Sequence, residues 1–550
     1  MTTIDHLDAA TVRTVAESHG VCIRPLLREL TDTVTGETRV VAIPCGSTRG
    51  RVCGPCADKA RRLRMQQCRE GWHRDHEDEP TEVDGRDQEE EGSAVEAASR
   101  RVRSTRRRQD APDLPRVPSE SRTIGKQLTS PSGKTYRPSM FLTLTLPSYG
   151  KVLDDGTPTD PSTYDYRRAA LDAMHFSKLV DRFWQNLRRC AGYRVQYFSA
   201  VEAQHRLAPH LHAAVRGVIS RSVVLQVIAA SYHQVWWPDF DQVVYPDLRV
   251  PVWDERMVGY VCPYSGALLP TWEEALDQLD VELEADPARR PAHVVRFGKQ
   301  ADYKWLIAHS PRTSKVVGYL TKYLTKSVAE TYGEHLTSRQ QAHLDRVNEQ
   351  TRWLPCSPEC ANWLRYGIQP RDAEPGLEPG ACGRAAHDAA NLGYGGRRVL
   401  VSRQWTGKTL TEHRADRAEV VRQVLAEAGI GREDLDQFAA DATDHQGVAR
   451  YAWKSVNANE LTLALWRAAV LTLIRQRTRW REQYERAKQA GSTTPRPPDN
   501  QPKPGLRPGG QGWPKAIAQR REAPLTTWPE NPPSNVGRRR PPAIGKEQDS

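Results

Sequence analysis

Residues 193–217 read YRVQYFSAVEAQHRLAPHLHAAVRG, and the fold turns on how this stretch is read. Tyr193, Val195, Tyr197 and Val201 alternate with Arg194, Gln196 and Glu202, the period of two that puts successive side chains on opposite faces of a strand. The run HLHAAVRG makes a second strand, with His210, His212 and Ala214 on one face and Leu211, Ala213 and Val215 on the other. Arg206 and Pro209 belong to the loop between them. A His-x-His pair standing alone is ordinarily part of a surface strand or a core histidine satisfied by a hydrogen bond. If these two strands pair side by side, however, Glu202, His210 and His212 converge on one small volume as candidate metal ligands. Imidazole suits several divalent metals, and a carboxylate shifts the preference toward Mg²⁺ or Mn²⁺. Three protein ligands leave coordination positions for a substrate oxygen, as a Lewis-acid site requires.

Upstream, MFLTLTLPSYG is a β-rich run closed by a turn, with Thr143 and Thr145 on a common face. LDAMHFSKLVDRFWQNLRR follows, with Met174, Phe176, Leu179, Val180, Phe183, Trp184 and Leu187 at helical spacing. Strand, helix, strand, strand is an α+β order compatible with a split βαβ, or ferredoxin-like, antiparallel sheet packed by helices on one face.

Downstream, KVVGYLTKYLTKSVAE sets Tyr319, Lys322, Tyr323 and Lys326 at i, i+3, i+4 and i+7, one stripe of a helix. Val317, Leu320, Leu324 and Val328 form a second, apolar stripe that can pack on a sheet. Read alone this is an amphipathic helix. Beside a metal site it gains chemical sense, because a phenol of pKa near 10 is only about 0.1% ionised at neutral pH and needs nearby lysines and a polarised phosphate to attack.

The chain has 550 residues, room for about three domains of roughly 100–200 residues each. Its 79 Lys and Arg against 68 Asp and Glu give a net charge of +11, which favours a polyanionic partner, nucleic acid first. MTTIDHLDAA is no signal peptide, and LTLALWRAAVLTLI is interrupted by Arg467, so a cytoplasmic protein without a membrane span is expected. In that compartment the ten cysteines stay reduced, and clusters of them point to metal. Cys45, Cys53, Cys56 and Cys68, around a central CxxC and with His73 as a possible substitute ligand, form one candidate structural zinc set. Cys356, Cys360, Cys382 and His387, in two short pairs, form another. Ordinary buried cysteines are the alternative in both places, and Cys22, Cys190 and Cys262 read as core residues.

Residues 77–91 hold nine Asp or Glu and residues 100–108 six Arg, with little apolar material, as a disordered linker would. The last sixty residues hold 13 of the 39 prolines. The expected organisation is therefore a Cys-rich, zinc-ribbon-like module over 1–75 and the linker over 76–135. A catalytic domain over 136–332, a Cys/His zinc-like module over 333–409, a basic helical region over 410–490 and a Pro/Arg-rich tail over 491–550 complete it. In the helical region Arg475, Arg477, Arg479 and Arg481 suit phosphate contact, although a solvated helix face explains them equally well.

FLTLTLP, PHLHAAVRG and YLTKYLTKS, in that order, resemble the three motifs of the HUH endonucleases. The flank AHDAANLGYGGRRVLVSRQWTGKTL is similar to replication initiators of actinobacterial plasmids that replicate by rolling circle. The resemblance covers about 45–75 and 137–487. It implies a ferredoxin-like, metal-dependent nickase and strand transferase acting on single-stranded origin DNA. By that resemblance His210, His212 and Glu202 hold the divalent cation. Tyr323, in its Lys-Tyr-x-x-Lys setting, attacks the scissile phosphate, keeps the 5′ end as a phosphotyrosine and frees a 3′-OH primer. Lys322 and Lys326 assist, and Tyr319 is either a second nucleophile or a packing residue. Helicase and polymerase come from the host, because the TGKT at 406–409 has Ser402 where a phosphate-binding loop needs glycine. A conjugative relaxase or HUH transposase is the near alternative, and a noncatalytic zinc-containing DNA-binding protein the distant one.

Overall fold

The computed structural model describes residues 8–493 except 73, 75–107, 109, 126, 130, 132, 134, 247–248, 308–310, 323, 325–326, 334, 428–445 and 457–461. The elements that build the site belong to the unit Met1–Gly491. In chain order they are α1 (Ala9–Ser18), β1 (Leu26–Asp32), β2 (Thr38–Ile43), α2 (Gly54–Trp72), β3 (Pro138–Thr145) and α3 (Tyr166–Ala191). After them come β4 (Tyr197–Ala203), β5 (Pro209–Val215), β6 (Ala301–Ile307), α4 (Pro311–Lys322), α5 (Ser338–Trp353), β7 (Val399–Val401), β8 (Tyr451–Ser455) and α6 (Leu463–Thr493). The fold is mixed α/β with antiparallel sheets. No helix among the described residues is long and apolar enough to cross a membrane.

The central sheet runs β6-β3-β5-β4-β7, and every neighbouring pair in it is antiparallel. Its middle strand, β5, is buried along its whole length. β4 and β5 form the hairpin expected from the alternation, with Glu202 opposite His210 and Ala200 opposite His212. The turn between them carries Leu207 at a φ of 57°. Pro209, expected in the loop, opens β5 instead, a first-residue position where its missing N–H breaks no ladder bond.

The sheet is covered on both faces, not on one. Met140, Leu142, Leu144, Val201, Leu211, Ala213 and Val215 pack with Phe176, Leu179, Val180, Phe183 and Leu187 of α3 in one core cluster. α3 starts at Asp165, whose side chain caps Arg168 N, and stops at Gly192 with a φ of 72°. Only a residue free of Cβ enters that left-handed cap without strain. The opposite face, Phe141, Phe198, Ala214 and Leu306, packs against Cys68 and Trp72 of α2, Val317 and Leu320 of α4, and Trp405. Single-strand alternation gives the sheet two usable faces, and the second one is closed by a helix from far upstream that local patterning does not connect to it.

Two further expectations are corrected. Part of the stretch expected to be disordered, residues 110–125, follows the end of α3: Val117 N donates to Arg189 O (3.0 Å) and Glu120 N to Gly192 O (3.1 Å), while Ile124 is buried. Carbonyls at a helix C-terminus lack intrahelical donors, and this segment supplies them. Its acidic portion, 77–91, lies outside the described residues. The expected 1–75 and 410–490 modules also share structure, because β1 pairs with both β2 and β8. Val12, Ala16 and Val21 form a core with Val470 of α6, and Trp466 Nε1 donates to Ile23 O (3.1 Å).

Candidate metal centre and its tyrosine

Paired strands in register put three ligand atoms on one point. His210 Nε2 and His212 Nε2 lie 2.8 and 2.7 Å from the same oxygen, Glu202 Oε1, and 2.5 Å from each other. Three electron-rich atoms this close repel unless a proton or a cation lies among them, and the set of two imidazoles and one carboxylate fits a divalent cation. The two histidines are buried and Glu202 is nearly so. Burial pushes the Glu202 carboxyl up, but the two imidazoles beside it, His210 and His212, outweigh it and hold the group at about 2. Burial, the largest influence on His210, pulls its imidazole below the usual range, which keeps it in the neutral form a metal requires.

Thr143, directly across the ladder from His212 on β3, places its Oγ1 2.9 Å from His212 Nδ1. With Nδ1 donating there, Nε2 keeps its lone pair for a cation. Phe141 stacks on the same imidazole, with centroids 5.8 Å apart and planes 6° from parallel. His210 Nδ1 is buried with no hydrogen-bond partner among the described residues, so of the two histidines His212 is the one whose Nδ1 is held by a protein group. The sequence places Thr143 and Thr145 on one face; the role of Thr143 in orienting His212 emerges only when β3 and β5 pair.

α4 crosses this face. Val317 and Leu320 bury into it, while Tyr319 stays 38% exposed at the rim. The Tyr319 hydroxyl donates to Glu202 Oε1 (3.3 Å) and lies 3.0 Å from His212 Nε2, and its ring stands edge-on to His212 with centroids 4.9 Å apart. Lys322, the last residue of α4, is exposed. Tyr319-Leu-Thr-Lys322 repeats the spacing of Tyr323-Leu-Thr-Lys326. Tyr323 and Lys326 lie outside the described residues.

The two thiol clusters are real groupings with one change of membership. Cys22, Cys45, Cys53 and Cys56 have their ligand atoms within 4.8 Å of one another, and so do Cys356, Cys360, Cys382 and His387; both sets could hold a metal such as zinc. Cys68 is not among them. It stands on α2 twelve residues past Cys56, about 18 Å along a helix rising roughly 1.5 Å per residue, and is buried beside Trp72 and Trp405. Cys22, expected to be a core residue, takes the fourth place: Cys45 N donates to its sulfur (3.3 Å) and Cys53 Sγ lies 3.8 Å away. His73 lies outside the described residues. In the second cluster His387 Nδ1 donates to Thr351 O of α5 (2.7 Å), which turns Nε2 toward Cys360 Sγ at 3.4 Å. That is the arrangement of a metal-ligating histidine held from behind. Cys190 is buried, as expected, and Cys262 is half-buried.

Arg475, Arg477, Arg479 and Arg481 are all exposed on α6. At about 100° per residue, however, Arg475 and Arg479 share one side and Arg477 and Arg481 another, roughly 200° away. They do not form one basic face.

The profile of the family described as replication initiator protein, pSAM2 (RepSA), matches residues 8–90 and 83–472. A replication initiator protein of Streptomyces ambofaciens is 26% identical over 376 residues, covering 57% of this chain and 74% of the relative. No solved structure matches the chain.

Proposed function

The chain belongs to the RepSA family of replication initiator proteins, and on that premise we propose that it starts plasmid replication by cutting one strand of the double-strand origin with a tyrosine. One observation carries this reading: the Tyr319 hydroxyl reaches the point where Glu202, His210 and His212 meet. The strand order of the central sheet, with a helix between its first two strands, supports a ferredoxin-like HUH core.

Glu202, His210 and His212 would hold a cation, Mg²⁺ or Mn²⁺ by the donor set, and when bound it would supply Lewis-acid polarisation of the scissile phosphate. Tyr319 Oη forms the bond to phosphorus as the bond from phosphorus to the 3′ oxygen breaks; the phenol gives up its proton and the departing oxygen gains one. The 5′ phosphate stays on the tyrosine and the 3′-OH primes synthesis by host helicase and polymerase. Because the phosphodiester is exchanged for a phosphotyrosine, the strand can be rejoined without ATP. Thr143 holds His212 in the tautomer that serves the site, and Lys322 adds positive charge at the end of the tyrosine helix. Cys356, Cys360, Cys382 and His387 would hold a structural zinc ion beside α3, against which Cys360 packs at Ala170, Leu171 and Met174.

Family membership favours an initiator over a relaxase or transposase. The sequence motif favours Tyr323 as first nucleophile, whereas the hydrogen bonds favour Tyr319. Incubation with single-stranded origin DNA and Mn²⁺, followed by peptide mapping of the covalent adduct, decides. An adduct on Tyr319 that Tyr319→Phe removes is expected. An adduct on Tyr323 that survives Tyr319→Phe transfers the role. Origin binding with neither nick nor adduct leaves the noncatalytic DNA-binding reading.

A further inference from the structure

The N-terminal thiol cluster and the tyrosine helix are joined by a single element. Cys53 and Cys56 bracket the start of α2, and the other two thiols reach them from separate segments, Cys22 after α1 and Cys45 after β2. The far end of the same helix is fixed just as tightly. Gly71 O accepts from the buried guanidinium of Arg216, Nε at 3.0 Å and Nη2 at 2.6 Å, directly after β5, which carries His210 and His212. Gln67 O accepts from Trp405 Nε1 (3.1 Å). A Cβ at Gly71 would meet the Trp405 ring at 2.1 Å, so this end of α2 has no room to shift. At this same far end, Cys68 and Trp72 share one core with Val317 and Leu320, the residues that flank Tyr319.

We infer that Cys22, Cys45, Cys53 and Cys56 bind a zinc ion whose function is to anchor α2, and that α2 in turn sets the position of the Tyr319 helix over the Glu202/His210/His212 centre. The physical basis is that three segments separated in sequence meet at the start of α2 through their thiols. Bringing them together costs chain entropy, which metal–thiolate bonding offsets. The sheet that carries the cation ligands is built from its own ladder and does not depend on this zinc. The ion is therefore a positioning device for the nucleophile, not for the catalytic cation. The role assigned to Tyr319 rests on the function proposed above, but the zinc count and the helix anchoring do not.

Native mass spectrometry and hydrogen exchange on the full chain test this without any nicking assay. The wild-type protein should carry two zinc ions, Cys22→Ser one, and Cys68→Ala two. In Cys22→Ser, exchange over 311–322 should accelerate about tenfold or more, as loss of an anchor lowers local opening free energy, while Mn²⁺ affinity changes by less than about twofold. Cys360→Ser should also lose one zinc yet leave exchange over 311–322 at the wild-type rate. If Cys22→Ser does not fold, thiol alkylation of the wild-type chain before and after chelation decides: Cys22, Cys45, Cys53 and Cys56 should become reactive together, with Cys68 still protected. Two zinc ions retained by Cys22→Ser, one lost by Cys68→Ala, Cys22 alkylated while zinc remains bound, or unchanged exchange over 311–322 once the N-terminal zinc is gone would each overturn the inference.

Discussion

The Glu202/His210/His212 centre and the Cys22/Cys45/Cys53/Cys56 cluster are both groups of ligand atoms within 4.8 Å, yet they are built in opposite ways. The first uses two adjacent strands of one hairpin, so eleven residues of chain and a ladder of backbone hydrogen bonds hold it in register. The second gathers thiols from three places over thirty-five residues; the β1–β2 ladder stops short of Cys22 and Cys45, and none reaches Cys53 and Cys56. A centre held by the sheet should tolerate loss of its metal as a fold and lose only chemistry. A cluster whose thiols lie outside any ladder should lose structure with its metal.

The largest effect expected from this contrast is His212→Ala. Removing the ligand that Thr143 orients should lower nicking by about 10³-fold, several kcal/mol of transition-state stabilisation, with thermal unfolding and duplex origin binding nearly unchanged. Equal loss of folding would show that the triad is structural and would erase the contrast.

Thr143→Val sharpens it further. The ladder survives and only the hydroxyl at 2.9 Å from His212 Nδ1 is removed, so Mn²⁺ affinity should fall about 10–100-fold, the usual cost of removing an outer-shell partner. Isothermal titration measures this directly, and an unchanged affinity would mean that β5 alone orients the imidazole.

pH separates the ligands within the centre. His210 has its pKa depressed by burial, so in the metal-free protein the unfolded state binds the extra proton first. Stability attributable to His210 is therefore complete above about 6.5, the ordinary histidine value, and declines as pH falls toward its lower folded value. Glu202 is also depressed, from 4.5 to about 2. Its contribution is complete above 4.5 and is lost only as pH falls through about 2. Mn²⁺ binding should accordingly weaken first through histidine protonation, well before the carboxylate titrates. Full Mn²⁺ affinity retained until pH falls to about 2, where the carboxylate titrates, would contradict the assignment.

The smallest effect concerns α6. Because Arg475 and Arg479 face away from Arg477 and Arg481, only one pair can lie along a DNA backbone. Replacing that pair by alanine should reduce the salt slope of DNA binding by about one for each phosphate no longer neutralised, while replacing the other changes nothing. Equal effects from both pairs would mean that α6 does not approach DNA side-on.

By itself the sequence determined what repeats at short range. Period-two alternation delivered β3, β4 and β5 and the convergence of Glu202 with His210 and His212, because neighbouring strands in a hairpin have no freedom to place those side chains elsewhere. The second cysteine set, Cys356 to His387, was legible for the same reason, its ligands lying in two short pairs. Tertiary structure alone decided three matters. It brought α2 onto the sheet face that carries the site, through packing among Cys68, Trp72 and Trp405 that no local period encodes. It exchanged Cys68 for Cys22, because a helix separates Cys56 from Cys68 by its length, whereas a turn at Gly20 and the β1–β2 hairpin return Cys22 and Cys45 to the start of α2. And it put Tyr319 against His212, because a helix stripe fixes only which residues share a side and not which of them points at a given atom.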